Sequence, residues 1–168
     1  GGYKVDQHQY VQALRPIVHK DLVGKKAEES VNEQVVKLFL WLLMALGYAL
    51  MTRADLCIYA IALQRRTQAP LVGEVRRLNA IVHWAQKHPL CITYMPMKCA
   101  SHLEVHSDSG FRKEEKDDVD VGRVLRGANL LRLAESANSL VAPRKVVCHM
   151  IDWHCGSLKN VTRSTFHG

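Results

Sequence analysis

The stretch VVKLFLWLLMALGYALM runs from Val35 to Met51, and the fold depends on how this stretch is buried. From Leu38 onward it contains only apolar or small residues, over 14 positions. A helix that crosses a bilayer needs about 20 such residues, so the sequence favours a buried core helix. A membrane span or interfacial anchor over 35–51, with Lys37 reaching toward the headgroups, remains the alternative.

The segments on either side of this run also have helical patterns. Helices are predicted over 5–14, 35–51, 52–63 and 71–87. Ser30 and Asn32 are suitable caps for the apolar helix, and Thr52-Arg53-Ala54-Asp55 is a capping signal for the next one. His88-Pro89 ends the last helix, because the residue before a proline leaves the helical region.

After Pro89 the pattern changes to short apolar runs bounded by turn-rich or charged segments, which is typical of β-strands. Strands are predicted at Leu90–Tyr94, Leu103–Ser107, Arg126–Leu133 and Val146–Trp153. The sequence therefore predicts an α+β protein with a helical part over 1–89 and a β part over 90–168.

The composition is that of a soluble globular protein: 48% of the 168 residues are hydrophobic and 23% are charged. The net charge of +7 suits a polyanionic partner such as nucleic acid, although an anionic membrane or an acidic protein satisfies the same electrostatics. The five cysteines are odd in number and irregularly spaced, which favours a reducing, intracellular compartment over a disulfide framework.

Cysteine and histidine also cluster in the β part, and a mixed zinc site can be drawn from them. Its ligands would be Cys148, His149, His154 and Cys155, with Cys99 and His102 upstream. The spacing fits no standard zinc finger, and neighbouring residues on a strand point to opposite faces. Buried thiols and partly exposed imidazoles are the preferred interpretation.

Basic residues of the helical part are the candidate nucleic-acid-binding residues. They are Arg65, Arg66, Arg76, Arg77 and Lys87. Such residues can follow a phosphate backbone, with Trp84 or Trp153 as stacking platforms. A solvated helix face explains the arginine pairs equally well, and core packing is favoured for the two tryptophans.

The strand ending at Ser107 carries a candidate metal ligand. Glu104, His106 and Asp108 alternate onto one face, and Ser109-Gly110 follows. A strand-terminal aspartate can hold a metal ion or cap a turn, so Asp108 by itself is a weak signal. Two-metal phosphodiester chemistry needs several converging carboxylates.

Several segments in this order resemble the end of a Copia-type retrotransposon polyprotein. They are Gln9-Tyr10, Leu43–Tyr48, Thr52–Leu56, Arg76–Asn79 with Tyr94, Val105–Ser109, Asp152-Trp153 and Arg163–Thr165. The matching region of that family runs from just after the reverse transcriptase palm, through thumb-like helices, into the RNase H domain. The resemblance covers essentially the whole chain and rests on the order and spacing of these segments.

The resemblance implies an incomplete site. Asp108 matches the first-strand metal-binding aspartate of the family, and Ser164-Thr165 match the start of the helix that bears the catalytic glutamate. That glutamate and the later aspartates are absent from this sequence, as is the paired-aspartate motif of the polymerase palm. We therefore expect a non-catalytic chain with a vestigial Asp108 and no cofactor, Mg²⁺ belonging only to a complete parent enzyme.

Two functional hypotheses follow. The first is a retrotransposon-derived binding or scaffolding module whose partner is an RNA–DNA hybrid. The second is a structural subunit of a larger assembly, in which partner chains complete the sheet and 35–51 serves as a membrane anchor. In either case we expect Leu103–Ser107 to present an apolar strand edge that another element covers.

Overall fold

The computed structural model describes residues 1–98, 102–112, 124–135 and 147–157, with the side chains of 108–112, 124–127 and 156–157 left undescribed. These residues form four α-helices and two small antiparallel sheets, which confirms the predicted α+β class. They divide between Tyr94 and Met95 into two compact units.

The first unit holds all the helices of the described chain. Its elements are β1 (Tyr3–Asp6), α1 (His8–Ala13), a 3-10 turn (Lys20–Leu22), α2 (Glu33–Ala49), a second 3-10 turn (Ala54–Leu56), α3 (Cys57–Gln64), α4 (Val72–Lys87) and β2 (Cys91–Tyr94). The helix predicted from Val5 is wrong at its start, because β1 pairs antiparallel with β2. Tyr3 also stacks on Tyr94 at 4.9 Å between ring centroids.

Helix α2 begins where the cap signal predicts. The Asn32 side chain accepts a hydrogen bond of 2.9 Å from the Val35 N–H and so satisfies one of the donors that a helix start leaves without a partner. One face of α2 then enters the core of the unit, through Val35, Phe39, Leu42, Leu43, Leu46 and Ala49. The predicted helix over 35–51 is thus observed as Glu33–Ala49, and this face of it belongs to the core.

Helix α4 packs into the same core from another side. It contributes Val75, Leu78, Val82 and Ala85, while α1 adds Val11 and α3 adds Ala60 and Leu63. The Gln86 amide donates to the Leu14 carbonyl at 2.9 Å, at the partly buried C-cap of α1. Because an unsatisfied carbonyl is costly when water is excluded, this side chain fixes α1 to the C-terminal half of α4.

The second unit contains an antiparallel meander. Strands β3 (His102–Arg112), β4 (Val124–Ala134) and β5 (Cys148–Ser157) pair in the order β3-β4-β5. A bulge at Ile151 shifts the register, so that Leu131 pairs with Asp152 and Arg132 pairs with Met150. Ala134 is the one buried side chain among those described in this unit. In the described residues β3 lies at one edge of the sheet.

Candidate nucleic-acid interface

The outer face of α4 brings basic and aromatic side chains together on one exposed helix surface. Arg77, Trp84 and Lys87 all project away from the buried residues of the helix, because at 100° per residue they fall on the opposite side of it. All three are exposed. We call Arg77, Trp84 and Lys87 the α4 basic stripe.

Trp84 is the centre of this stripe and is 46% exposed. Its ring lies 4.7 Å from the His88 ring, tilted by 35°. The Arg53 guanidinium lies 5.4 Å from the centroid of the same ring, within cation–π range. Core packing, the preferred interpretation of Trp84 from the sequence, is wrong for this side chain, although the helical period already places it opposite Val75 and Val82.

Arg53 is held in place from several sides and is almost completely buried. Its Nε donates to Asp55 Oδ1 at 2.9 Å and its Nη2 to Asp55 Oδ2 at 2.8 Å. Nη1 donates to the Ala85 carbonyl at 3.2 Å. The segment that follows α2 is thus tied to the last turns of α4. Thr52–Asp55 does not form the predicted cap. Its Arg53–Asp55 ion pair instead holds the Arg53 side chain that bonds to α4.

The five predicted nucleic-acid-binding residues have different environments. Arg77 and Lys87 lie on the α4 basic stripe. Arg76 is exposed but turns toward the loop after the first 3-10 turn, where its Nη2 donates to the Lys25 carbonyl at 2.8 Å. Arg66 is half-buried, with its Nε 3.9 Å from Glu74 Oε1. Arg65 is exposed at the C-cap of α3, where a cation suits the helix dipole.

The cleft beside Arg53 is too small for a metabolite. It is lined in part by Gln7, Val11, Thr52 and Pro89, and its volume is about 10 Å³, room for about one water molecule. Sites for small organic ligands are roughly thirty times larger or more. The cleft therefore favours no small-molecule substrate.

In the second unit the neighbours of Asp108 are already engaged with each other. Glu104 lies opposite Arg132 in the register, and its Oε2 accepts a hydrogen bond from Arg132 Nε. His106 Nε2 is 3.6 Å from the same oxygen. The Asp108 side chain lies outside the described part of the structure, as do Ser164 and Thr165. Within the described part, no three cysteine, histidine or acidic side chains converge as metal ligands.

The residues of the drawn zinc site fall on different faces of the meander. Cys148 pairs with Ala134, whereas His149 pairs with Leu133 on the next position of β4. Successive positions on a strand point to opposite faces, so these two side chains cannot bind one ion from the same strand. Cys99 lies outside the described residues.

The outer face of α2 is apolar from Trp41 onward, unlike that of α4. Trp41, Met44, Tyr48 and Met51 are 61%, 76%, 56% and 65% exposed.

None of the helices in the described residues combines the length and the hydropathy that a bilayer crossing requires. No protein-family model, curated protein or solved structure matches this chain.

Proposed function

We propose that this chain is a non-catalytic, Copia-derived module that binds nucleic acid, an RNA–DNA hybrid in the first instance, through the α4 basic stripe. The observation that carries the proposal is the position of Trp84 between Arg77 and Lys87 on one exposed helix face. The resemblance in sequence order supplies the kind of nucleic acid. The proposal includes no cofactor and no reaction at Asp108.

The spacing along α4 suits a phosphate backbone. Arg77 and Lys87 are ten residues apart, about 15 Å along the helix axis. A nucleic-acid strand advances about 3.4 Å per nucleotide, so the two cations span roughly four nucleotides. Both side chains are exposed and long enough to adjust to the phosphates. This contact is independent of base sequence.

Trp84 adds a contact that charge alone does not provide. An exposed indole can stack on a base of any sequence, which contributes about 1–3 kcal/mol per base. His88 and Arg53 lie against the ring and restrict its movement, which lowers the entropy lost on binding. We expect a preference for strands with an accessible base, such as hybrid ends or single-stranded overhangs.

The test is the salt dependence of binding to a fluorescent RNA–DNA hybrid, measured by anisotropy. Each phosphate contact contributes about −0.9 to the slope of log K against log[salt]. Arg77→Gln with Lys87→Gln should therefore reduce the slope by about 2 and weaken binding at low salt. The matched control is Lys4→Gln with Lys37→Gln, which removes the same charge from exposed positions on β1 and on the outer face of α2.

If the two double variants lose affinity and slope equally, binding depends on net charge and the α4 basic stripe is not the site. If the unmodified chain binds no polyanion even at low salt, nucleic-acid binding itself is wrong. Hydrolysis of the hybrid by the purified chain in Mg²⁺ would contradict the non-catalytic part of the proposal.

A further inference from the structure

The outer face of α2 carries an apolar surface that nucleic-acid binding does not use. Trp41, Met44 and Tyr48 lie on the side of α2 opposite its buried residues, and Met51 follows in the turn after the helix, where its N–H donates to the Tyr48 carbonyl at 3.3 Å. Each of the four is more than half exposed. We call these four residues the α2 apolar stripe. An exposed apolar patch of several hundred Å² often marks an interaction site.

The spacing of the stripe is symmetric. Its members are separated by three, four and three residues, which reads the same in both directions and follows the 3.5-residue period of helix–helix seams. Aromatic residues and methionines alternate along it. Two such helices placed antiparallel about the midpoint bring Trp41 of one against Met51 of the other, and Met44 against Tyr48. Each aromatic ring then meets a polarisable thioether, which is a favourable contact.

Gly47 points to the same conclusion. It lies inside α2, one turn from Met44 and one turn from Met51, where glycine weakens a helix relative to alanine. Its φ is not positive, and a Cβ built on it meets no atom within 4 Å. Nothing in the described chain requires glycine at this position. A second helix whose backbone approaches closely would require it, because any larger side chain keeps the two backbones apart.

The charges beside the stripe favour a protein over a membrane surface. Lys37 precedes Trp41 and pairs with Glu33, with 2.7 Å between Nζ and Oε1. This end of the helix is therefore neutral, while interfacial membrane helices carry an excess of lysine and arginine next to their apolar face. The opposite face of α2 is committed to the core of its own unit.

We propose that a second copy of this chain packs on the α2 apolar stripe, antiparallel and related by a two-fold axis that meets the outer face of α2 midway between Met44 and Tyr48. An aromatic side chain presents about 150–250 Å² when fully exposed, so the stripe exposes on the order of 500 Å². Two copies bury about twice that area, at the lower limit of specific interfaces. The dimer is therefore reversible and depends on concentration.

The first experiment is sedimentation equilibrium of the full chain over a wide concentration range. We expect reversible dimerisation, and we expect Met44→Glu to raise the dissociation constant at least about tenfold, because it places a charge at the centre of the interface. The control is Val18→Glu, which places the same charge on a side chain that is 92% exposed and distant in sequence from α2. Far-UV circular dichroism must show the same helix content for both variants.

The second experiment tests orientation. Chains with Met44→Cys are mixed with chains carrying Tyr48→Cys, and a short bis-maleimide is added, with the unmodified chain as the background for its own cysteines. Preferential cross-linking of a Met44→Cys chain to a Tyr48→Cys chain supports the antiparallel arrangement. Preferential cross-linking of two Met44→Cys chains overturns it. A chain that stays monomeric throughout, or that binds anionic vesicles without self-association, overturns the proposal in full.

Discussion

Helices α2 and α4 are almost the same length, 17 and 16 residues, and bury one face each in the same core. Their outer faces differ. That of α4 carries arginine, lysine and a tryptophan, whereas that of α2 carries tryptophan, tyrosine and methionine. The inner face of each helix is therefore dictated by packing within the unit, while the outer face differs with the partner that we propose for it.

The largest effects should come from the inner faces, where the two helices are equivalent. Phe39 and Leu78 are fully buried. Truncating either side chain to alanine loses the free energy gained by burying its apolar atoms and leaves a cavity. We expect Phe39→Ala and Leu78→Ala each to lower the free energy of unfolding by about 3–4 kcal/mol. Urea unfolding followed by far-UV circular dichroism measures it.

Trp41→Ala is the outer-face counterpart and should change the unfolding free energy of the monomer by less than about 0.5 kcal/mol. A cost for Trp41→Ala that equals the cost for Phe39→Ala would show that the two faces of α2 are assigned wrongly.

The next effect concerns the tie between the end of α2 and α4. Arg53→Met removes a buried cation together with its bonds to Asp55 and Ala85. Asp55 is exposed and stays hydrated in the variant, but the Ala85 carbonyl loses its charged donor. A hydrogen bond from a charged group contributes about 1.5–3 kcal/mol, and we expect a loss of about 2 kcal/mol in urea unfolding. Because Arg53 lies against the Trp84 ring, the emission spectrum of the chain should shift as well.

Lys37→Met serves as the control for the charge pair, because the Lys37–Glu33 bridge lies on the exposed face of α2. Exposed i,i+4 pairs contribute about 0.3–0.5 kcal/mol. Equal losses for Arg53→Met and Lys37→Met would mean that burial of Arg53 has no energetic consequence.

The two exposed tryptophans separate the roles of the outer faces. Trp84→Ala should weaken hybrid binding by about 1–2 kcal/mol, the lower part of the range for base stacking, without changing the salt slope, since no charge is removed. Trp41→Ala should leave hybrid binding unchanged and weaken self-association. Anisotropy and sedimentation on the same preparations measure both, and the opposite pattern would exchange the two assignments.

The smallest effect is a pH dependence at the start of α2. Asp21 bonds Lys25 Nζ at 2.9 Å and accepts the Asn32 N–H at 3.0 Å, and these contacts hold the pKa of Asp21 below its ordinary value. A carboxyl with a lowered pKa in the folded state stabilises the fold above its ordinary pKa and loses that contribution as the pH falls through the lowered value.

The difference in thermal midpoint between the unmodified chain and Asp21→Asn should therefore be largest near neutral pH and vanish in acid. Glu28→Gln, which removes the same charge from an exposed position, is the matched control. A difference that grows in acid would contradict the sign of the Asp21 contribution.

Much of the helical unit can be read from local signals. Asn32 caps α2 as its residue type predicts, and His88-Pro89 ends α4 at Lys87. The period of α4 places Val75, Leu78 and Val82 in the core. These features depend on residues within one or two helical turns of each other, which a sequence displays directly.

Strand β1 was missed because its partner is β2, nearly the whole unit away along the chain. The exposure of Trp84 and the burial of Arg53 also depend on which segments meet at the last turns of α4. No local pattern specifies which segments come into contact, because a tryptophan or an arginine has the same helical preference whether it is buried or exposed.

The sequence by itself determined the α+β class, the Asn32 cap of α2, the end of α4 at His88-Pro89, the inner face of α4 and the excess of positive charge. Tertiary structure alone decided which residues of the uniformly apolar Leu38–Met51 run are buried, because a run without polar positions carries no period to mark a face. Core packing against α1, α3 and α4 selects Phe39, Leu42 and Leu46 and leaves Trp41 and Met44 exposed to solvent.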